Sequence, residues 1–162
     1  MPDDDLLPLI RVSGTPGVKA RRLRAIVSTI ETAGGVDAFL SLPDDELRAA
    51  LLATHGVGPE TADGIMLYAA GRRVFMVDAY TQRLFRRIGI GPATHRYGDW
   101  QRYIEAALPD GDAAMFQRYH GYIVLHGKAL CRARPLCGRC PLRDVCETGR
   151  ELRSPGREAA RA

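Results

Sequence analysis

The sequence has almost no lysine. Lys19 and Lys128 are the only two, so all but two of its 23 basic residues are arginine. Long apolar runs are missing too: no stretch approaches the roughly 20 residues that a membrane-spanning helix needs. The first residues, MPDDDLLPLI, are acidic where a secretory signal is basic, so the expected location is the cytoplasm, close to the nucleoid if the partner is DNA. Strand-type alternation is absent as well. The apolar run Val74 to Val77 is only four residues long and reads as a buried connector. No internal repeat stands out.

What is present is ordinary for a globular chain of 162 residues, with 46% hydrophobic and 26% charged residues. That length fits one compact domain, or one domain with a small metal-held appendage. The formal charge is +4. Arginine forks match phosphate geometry and stack on bases, but a GC-rich genome produces the same bias, so charge alone assigns no partner. Helical periodicity dominates. Leu23, Ile26, Val27 and Ile30 line one face of a helix that Gly34 and Gly35 stop. A second helix begins near Pro43 and carries Leu47, Ala50 and Leu51, with Asp44, Asp45 and Glu46 at the positive end of its dipole. Others are expected over about 59–70, after Asp78, over 97–108 and over 113–125. The fold class is all-α.

Two helices meet through His55-Gly56-Val57-Gly58, a turn too tight for side chains at both glycine positions. Pro59 then stands where a first helical residue should. Backbone amides of such a turn can hold a phosphate at a helix start, although a Gly-x-Gly between helices is often only a connector. Twenty residues after Gly58 comes Val77-Asp78-Ala79-Tyr80, an apolar approach that ends in an acid opening a helix. Asp is a common N-cap for structural reasons alone. A carboxylate fixed there, in an apolar mouth, could also stabilise positive charge on a sugar and orient a water.

All four cysteines, Cys131, Cys137, Cys140 and Cys146, fall within 16 residues as C-x5-C-x2-C-x5-C. In a cytoplasmic chain such clustering argues for metal rather than disulfides. Four thiolates suit a [4Fe–4S] cluster or a tetrahedral zinc, and the spacing leaves both open.

The hairpin, the downstream Val77-Asp78 and the cysteine loop, in this order, resemble the endonuclease III branch of the helix-hairpin-helix DNA glycosylases, over about 6–146. The resemblance implies the family's helical fold, a structural [4Fe–4S] cluster on the four cysteines, and double-stranded DNA with a damaged base as partner. It assigns the phosphate grip to His55, Gly56, Val57, Gly58, Glu60 and Thr61, and cleavage of the N-glycosidic bond of a flipped-out nucleotide to Asp78. Tyr80 becomes a candidate for the base pocket. Arg132, Arg134, Arg139 and Arg143 could contact phosphates or simply be solvated. In bifunctional members a lysine precedes the Thr-Ala of the hairpin helix and forms a Schiff base. Glu60 stands there in this chain, and neither Lys19 nor Lys128 falls near it, so the expected chemistry is monofunctional, without lyase activity. The run Gly58 to Asp63, with Val77 to Tyr80, looks closer to 3-methyladenine glycosylase-like relatives, which suggests alkylated purines.

The segment Leu9 to Gly14 followed by Val18-Lys19-Ala20 resembles one that family members reach several dozen residues later. The expected fold is therefore incomplete at its N-terminus, with an exposed apolar patch where early helices would pack. The expected organisation is a helical domain over 1–128, a cluster loop over 129–147 and a flexible tail over 148–162, as a monomer. Two other functions fit the same residues: a catalytically inactive DNA-binding protein with a structural metal cluster, and a small zinc-held interaction module. His120 and His126 fall on an apolar helix and read as packed or hydrogen-bonded side chains, not as ligands. Trp100 and Tyr103 read as helix packing, and His55 as an exposed turn residue.

Overall fold

The computed structural model describes residues 2–152. Among them there is no strand, and no helix is long and apolar enough to cross a membrane. The chain divides into two compact units, one up to Arg72 and one from Arg73 onward, so the division falls inside the stretch 1–128 expected to be one domain.

The first unit contains α1 (Asp3–Ile10), a short 3₁₀ turn (Arg11–Ser13), α2 (Pro16–Thr32), α3 (Val36–Leu40), α4 (Asp44–Ala53) and α5 (Pro59–Tyr68). Proline opens α2 and α5, where its missing N–H would have had no intrahelical partner. Three acids, Asp44, Asp45 and Glu46, fill the first turn of α4 and suit its dipole. α4 packs on α5. Leu47, Leu51, Ala62, Met66 and Leu67 are buried there, and each fully buried leucine contributes roughly 2 kcal/mol. Asp63 is fully buried on α5 and is held by Arg48 of α4. α2 differs from its sequence pattern. Although α1 packs on it, the apolar face is only partly covered: Leu23 and Val27 are exposed, Ile26 and Ile30 are half-buried, and only Ala20 of this helix is buried. Leu9 and Val12, the latter 97% exposed, are also open to solvent.

The second unit contains α6 (Ala79–Ile88), α7 (Tyr97–Ala107), α8 (Ala113–Ala129), a 3₁₀ turn (Cys137–Arg139) and α9 (Glu147–Glu151). Its core is aromatic: Phe75, Phe85, Trp100 and Phe116 are buried, with Phe75 and Phe116 edge to face at 5.4 Å. Asp112 caps α8 by accepting from Met115 N at 2.6 Å. The stretch Val74 to Val77 is the buried connector that its sequence suggests, with Phe75 and Val77 essentially inaccessible.

Three helices, α1, α3 and α9, escape the periodicity argument because they are short or carry little apolar repeat. α9 corrects the expected tail. Residues 147–151 are helical, α9 packs on α6, and Gly149 is buried because its missing side chain lets the backbone of Arg143 come close. Residues 153–162 of that expected tail lie outside the described residues.

Candidate active site

The hairpin belongs to the first unit. Thr54, buried at the end of α4, shares a hydroxyl hydrogen bond with Thr29 of α2 at 3.0 Å and donates to Ala50 O. Val57 N then donates back to Thr54 O at 3.1 Å, which closes the turn. Gly56 sits at φ +83°, a conformation that side chains strain to adopt, and a Cβ there would run into the side chain of Arg22. Gly58 is extended, with no side-chain cap on α5. The amides of Glu60 and Thr61 therefore head a helix whose first turn is open to solvent. His55, Gly56, Gly58, Glu60 and Thr61 are all exposed, and Val57 is half-buried.

One separation suggested by the sequence does not hold in space. Lys19 is some forty residues from the hairpin along the chain, yet α2 brings it back. Lys19 and Arg22 line one groove of about 360 Å³ with Gly56, Val57 and Thr61, over a floor that includes Ile26 and Ile65. The Lys19 amine donates to Ser13 O.

Asp78 belongs to the second unit, and its position is built from the connector that precedes it. An extended segment outside a sheet needs other partners for its polar groups. α7 supplies them from one face at a spacing of four: Tyr97 Oη accepts from Val77 N at 3.3 Å, Gln101 Nε2 donates to Phe75 O, and Glu105 Oε1 accepts from Phe75 N at 2.7 Å. Asp78 then caps α6. Its Oδ1 accepts from Thr81 N at 2.7 Å and from Thr81 Oγ1 at 2.8 Å. Its Oδ2 lies 3.5 Å from Nε2 of His120 on α8. The carboxyl is only 7% exposed. Burial by itself would raise its pKa, but the contacts with His120 and Thr81 outweigh it, so the group is held below its ordinary value of 3.8. The result is a nearly buried, ionised, oriented carboxylate. His120, read from the sequence as packed or hydrogen-bonded, is both packed and placed on that carboxylate; its spacing on an apolar helix could not name the partner.

Tyr80, two residues on, lies against Gly127 of α8, and the Arg83 guanidinium stacks over its ring at 4.9 Å. Arg83 also donates to Cys131 O at 2.9 Å and to Gly127 O. Trp100 is buried, with its indole N–H on Thr94 O.

The four cysteines are all free and line one cavity, walled by Leu84, Ile88, Leu130 and Leu142. Arg87 of α6 fastens the loop by donating to Cys131 Sγ at 3.3 Å, Arg132 O and Ala133 O, while Cys146 Sγ donates to Arg87 O. His126 Nε2 lies 3.5 Å from Cys140 Sγ. The Cys137 thiol is pushed up by burial and then by its three cysteine neighbours, an influence that requires all four to be close. Yet among the described residues no three His, Cys, Asp or Glu side chains converge as the ligands of one ion. Four sulfurs on a cavity that no carboxylate lines fit a thiolate-bound metal group. Arg132, Arg134 and Arg139 are exposed around it, and Arg143 is half-buried.

An all-helical body with a glycine hairpin, a capping aspartate and a four-cysteine loop defines the helix-hairpin-helix glycosylase fold. The structure of a non-covalent endonuclease III–DNA complex superposes with a TM-score of 0.73 over 93% of this chain and 67% of the other, at 24% identity. A 3-methyladenine DNA glycosylase of H. pylori bound to 1,N6-ethenoadenine superposes at 0.67 over 79% and 64%, at 26% identity. A Methanocaldococcus jannaschii protein named as a DNA repair glycosylase is 40% identical over 147 residues, which is 89% of this chain and 66% of that one. Endonuclease III of Sulfolobus acidocaldarius is 28% identical over 143 residues, 88% of this chain and 61% of the relative. No family model matches. The chain belongs to the endonuclease III-like family of helix-hairpin-helix DNA repair glycosylases. It spans about two thirds of the length of these curated relatives.

Proposed function

We propose that this chain is a monofunctional DNA glycosylase that hydrolyses the N-glycosidic bond of a damaged base in double-stranded DNA. The observation that carries this reading is Asp78: ionised, nearly buried and fixed at a helix start. A carboxylate in that state favours positive charge on a neighbouring sugar carbon and holds a water beside it. The water oxygen bonds to the sugar carbon as the bond to the base nitrogen breaks. The base leaves with the electron pair, the proton that the water loses passes to the Asp78 carboxylate and on to the solvent, and an abasic site remains. The hairpin 55–61 holds the backbone through the amides of Glu60 and Thr61, with Lys19 and Arg22 beside it.

Glu60 in place of an amine supports hydrolysis over Schiff-base chemistry. Alkylated purines are the proposed substrates, a reading supported by the hairpin and Asp78 motifs and by the ethenoadenine bound to the H. pylori relative. Tyr80 is the proposed wall of the base pocket. Cys131, Cys137, Cys140 and Cys146 would hold a [4Fe–4S] cluster, a reading supported by four thiols on one cavity and favoured over zinc by the likeness to endonuclease III. When bound, the cluster supplies structural order to the loop. The enzyme would act as a monomer on chromosomal DNA in the cytoplasm.

The test is a single-turnover base-release assay with the wild type and Asp78→Asn on duplexes carrying 3-methyladenine, uracil or an oxidised pyrimidine, each treated afterwards with alkali. Alkali-dependent cleavage of the 3-methyladenine duplex, lost in the variant, is expected. Cleavage that persists in Asp78→Asn removes Asp78 from the mechanism. Duplex binding without any cleavage identifies a DNA-binding protein that does not turn over.

A further inference from the structure

The two oxygens of Asp78 are held differently. Oδ1 is engaged in capping α6, with the Thr81 amide and hydroxyl both on it. Oδ2 faces the imidazole of His120, 3.5 Å away, and both residues are less than 10% exposed. A capping role needs only Oδ1. The buried imidazole on the other oxygen calls for a second explanation, since an ionisable ring is costly to bury without a task or a partner.

We propose that His120 is a positioning residue for Asp78, fixing the direction of Oδ2 and keeping the carboxylate ionised while base excision proceeds; this rests on the reading of Asp78 given above. The ring cannot drift. Phe75 meets it edge to face at 6.4 Å, and Phe75 is itself fastened by Gln101 and Glu105 of α7. Thr81 and His120 therefore clamp the carboxylate from two helices, α6 and α8, so that the oxygen turned toward His120 keeps one orientation. Misorientation of a reacting group by about 1 Å can lower a rate on the order of a hundredfold.

The other ionisable groups around the pair are accounted for. Tyr119, next to His120 on α8, has a hydroxyl whose pKa burial pushes up, so it stays neutral where the enzyme works. Tyr97 and Glu105 of α7 place their oxygens on the backbone of Val77 and Phe75. Among the contacts that favour the ionised Asp78 carboxylate, the one with the His120 imidazole is the strongest. Burial works against ionisation and His120 works for it, so removing the imidazole moves the Asp78 titration to higher pH.

The test follows the ¹³C signal of the Asp78 carboxyl, assigned by its absence in Asp78→Asn, through a pH titration of the wild type, His120→Leu and His120→Gln. His120→Leu is expected to raise the titration midpoint and shift the acid limb of single-turnover base release upward, with a rate loss on the order of tenfold near that limb that shrinks at higher pH. His120→Gln keeps an N–H donor in a polar side chain of similar reach and is expected to recover part of both. A midpoint unchanged in both variants overturns the proposal, as does base release by His120→Leu at the wild-type rate across the whole pH range. If Asp78→Asn still releases base, the catalytic reading of Asp78 fails while the carboxyl titration still decides whether His120 acts on it.

Discussion

Arg48 holds Asp63 through two parallel hydrogen bonds, Nε to Oδ1 at 2.8 Å and Nη2 to Oδ2 at 3.3 Å, with the aspartate completely buried. The fork geometry of the guanidinium matches the carboxylate and ties α4 to α5 on either side of the hairpin. Arg48→Ala leaves a buried carboxylate without this partner and is expected to destabilise the protein by about 3 kcal/mol. Arg48→Lys should restore little of it, because an ammonium cannot make both bonds. Urea denaturation of the three proteins checks this. Equal midpoints for Arg48→Ala and wild type refute it.

Gly56 tests the hairpin separately. Gly56→Ala combines a left-handed backbone with a collision against Arg22, so a loss of about 1–2 kcal/mol is expected in melting experiments. Binding to an undamaged duplex, read by fluorescence anisotropy at fixed salt, should weaken as well. An alanine variant that binds as tightly as the wild type removes this turn from the phosphate grip.

Asp78 contributes to stability as well as to the proposed chemistry, and the two can be separated. Asparagine caps a helix about as well as aspartate, so Asp78→Asn should fold with near wild-type stability, whereas Asp78→Ala should lose about 1 kcal/mol at neutral pH. The folded pKa of Asp78 lies below its ordinary value of 3.8. The stabilisation by its charge is therefore complete above that value and fades as pH falls through the folded value. The gap between wild type and Asp78→Ala should narrow below pH 3.8 in acid-unfolding experiments; a gap that widens there contradicts the assigned direction.

Borohydride trapping on an abasic duplex decides between hydrolysis and amine chemistry. No covalent complex is expected, since Glu60 stands at the hairpin position. Lys19, which shares a groove with Thr61, supplies the control. A trapped complex that disappears in Lys19→Ala would show that this amine has taken over the role.

Replacement of a cysteine probes the metal group. The purified protein should be brown, with broad absorbance in the blue and near ultraviolet, and should contain iron and sulfide. Cys140→Ser should lose the colour and bind DNA more weakly. A colourless wild type carrying one zinc per chain would overturn the iron–sulfur assignment.

The elements with strong apolar repeats were legible in the sequence because packing and periodicity agree in them. α5, α6, α7 and α8 begin where the turn residues and acids place them. The capping role of Asp78 was legible for the same reason, since Asp followed by a helical pattern has a local cause. The clamp around Asp78 was not. His120 is 42 positions away, and its neighbours Phe116 and Ile123 give it the sequence signature of a core residue. The α7 face of Tyr97, Gln101 and Glu105 has a regular spacing, but nothing local says that its targets are the backbone groups of another segment. The open face of α2 marks the opposite failure. Its repeat is strong enough to specify a helix, yet periodicity does not say how completely a partner, here α1, covers it.

The close fit of Tyr80 on Gly127 limits the routes by which this protein can change over generations. Any side chain at position 127 would occupy the space of the aromatic ring, and displacing the ring would disturb Arg83 and its bond to Cys131. A lineage can enlarge residue 127 only after residue 80 has become smaller, so the two positions should vary together and in that order.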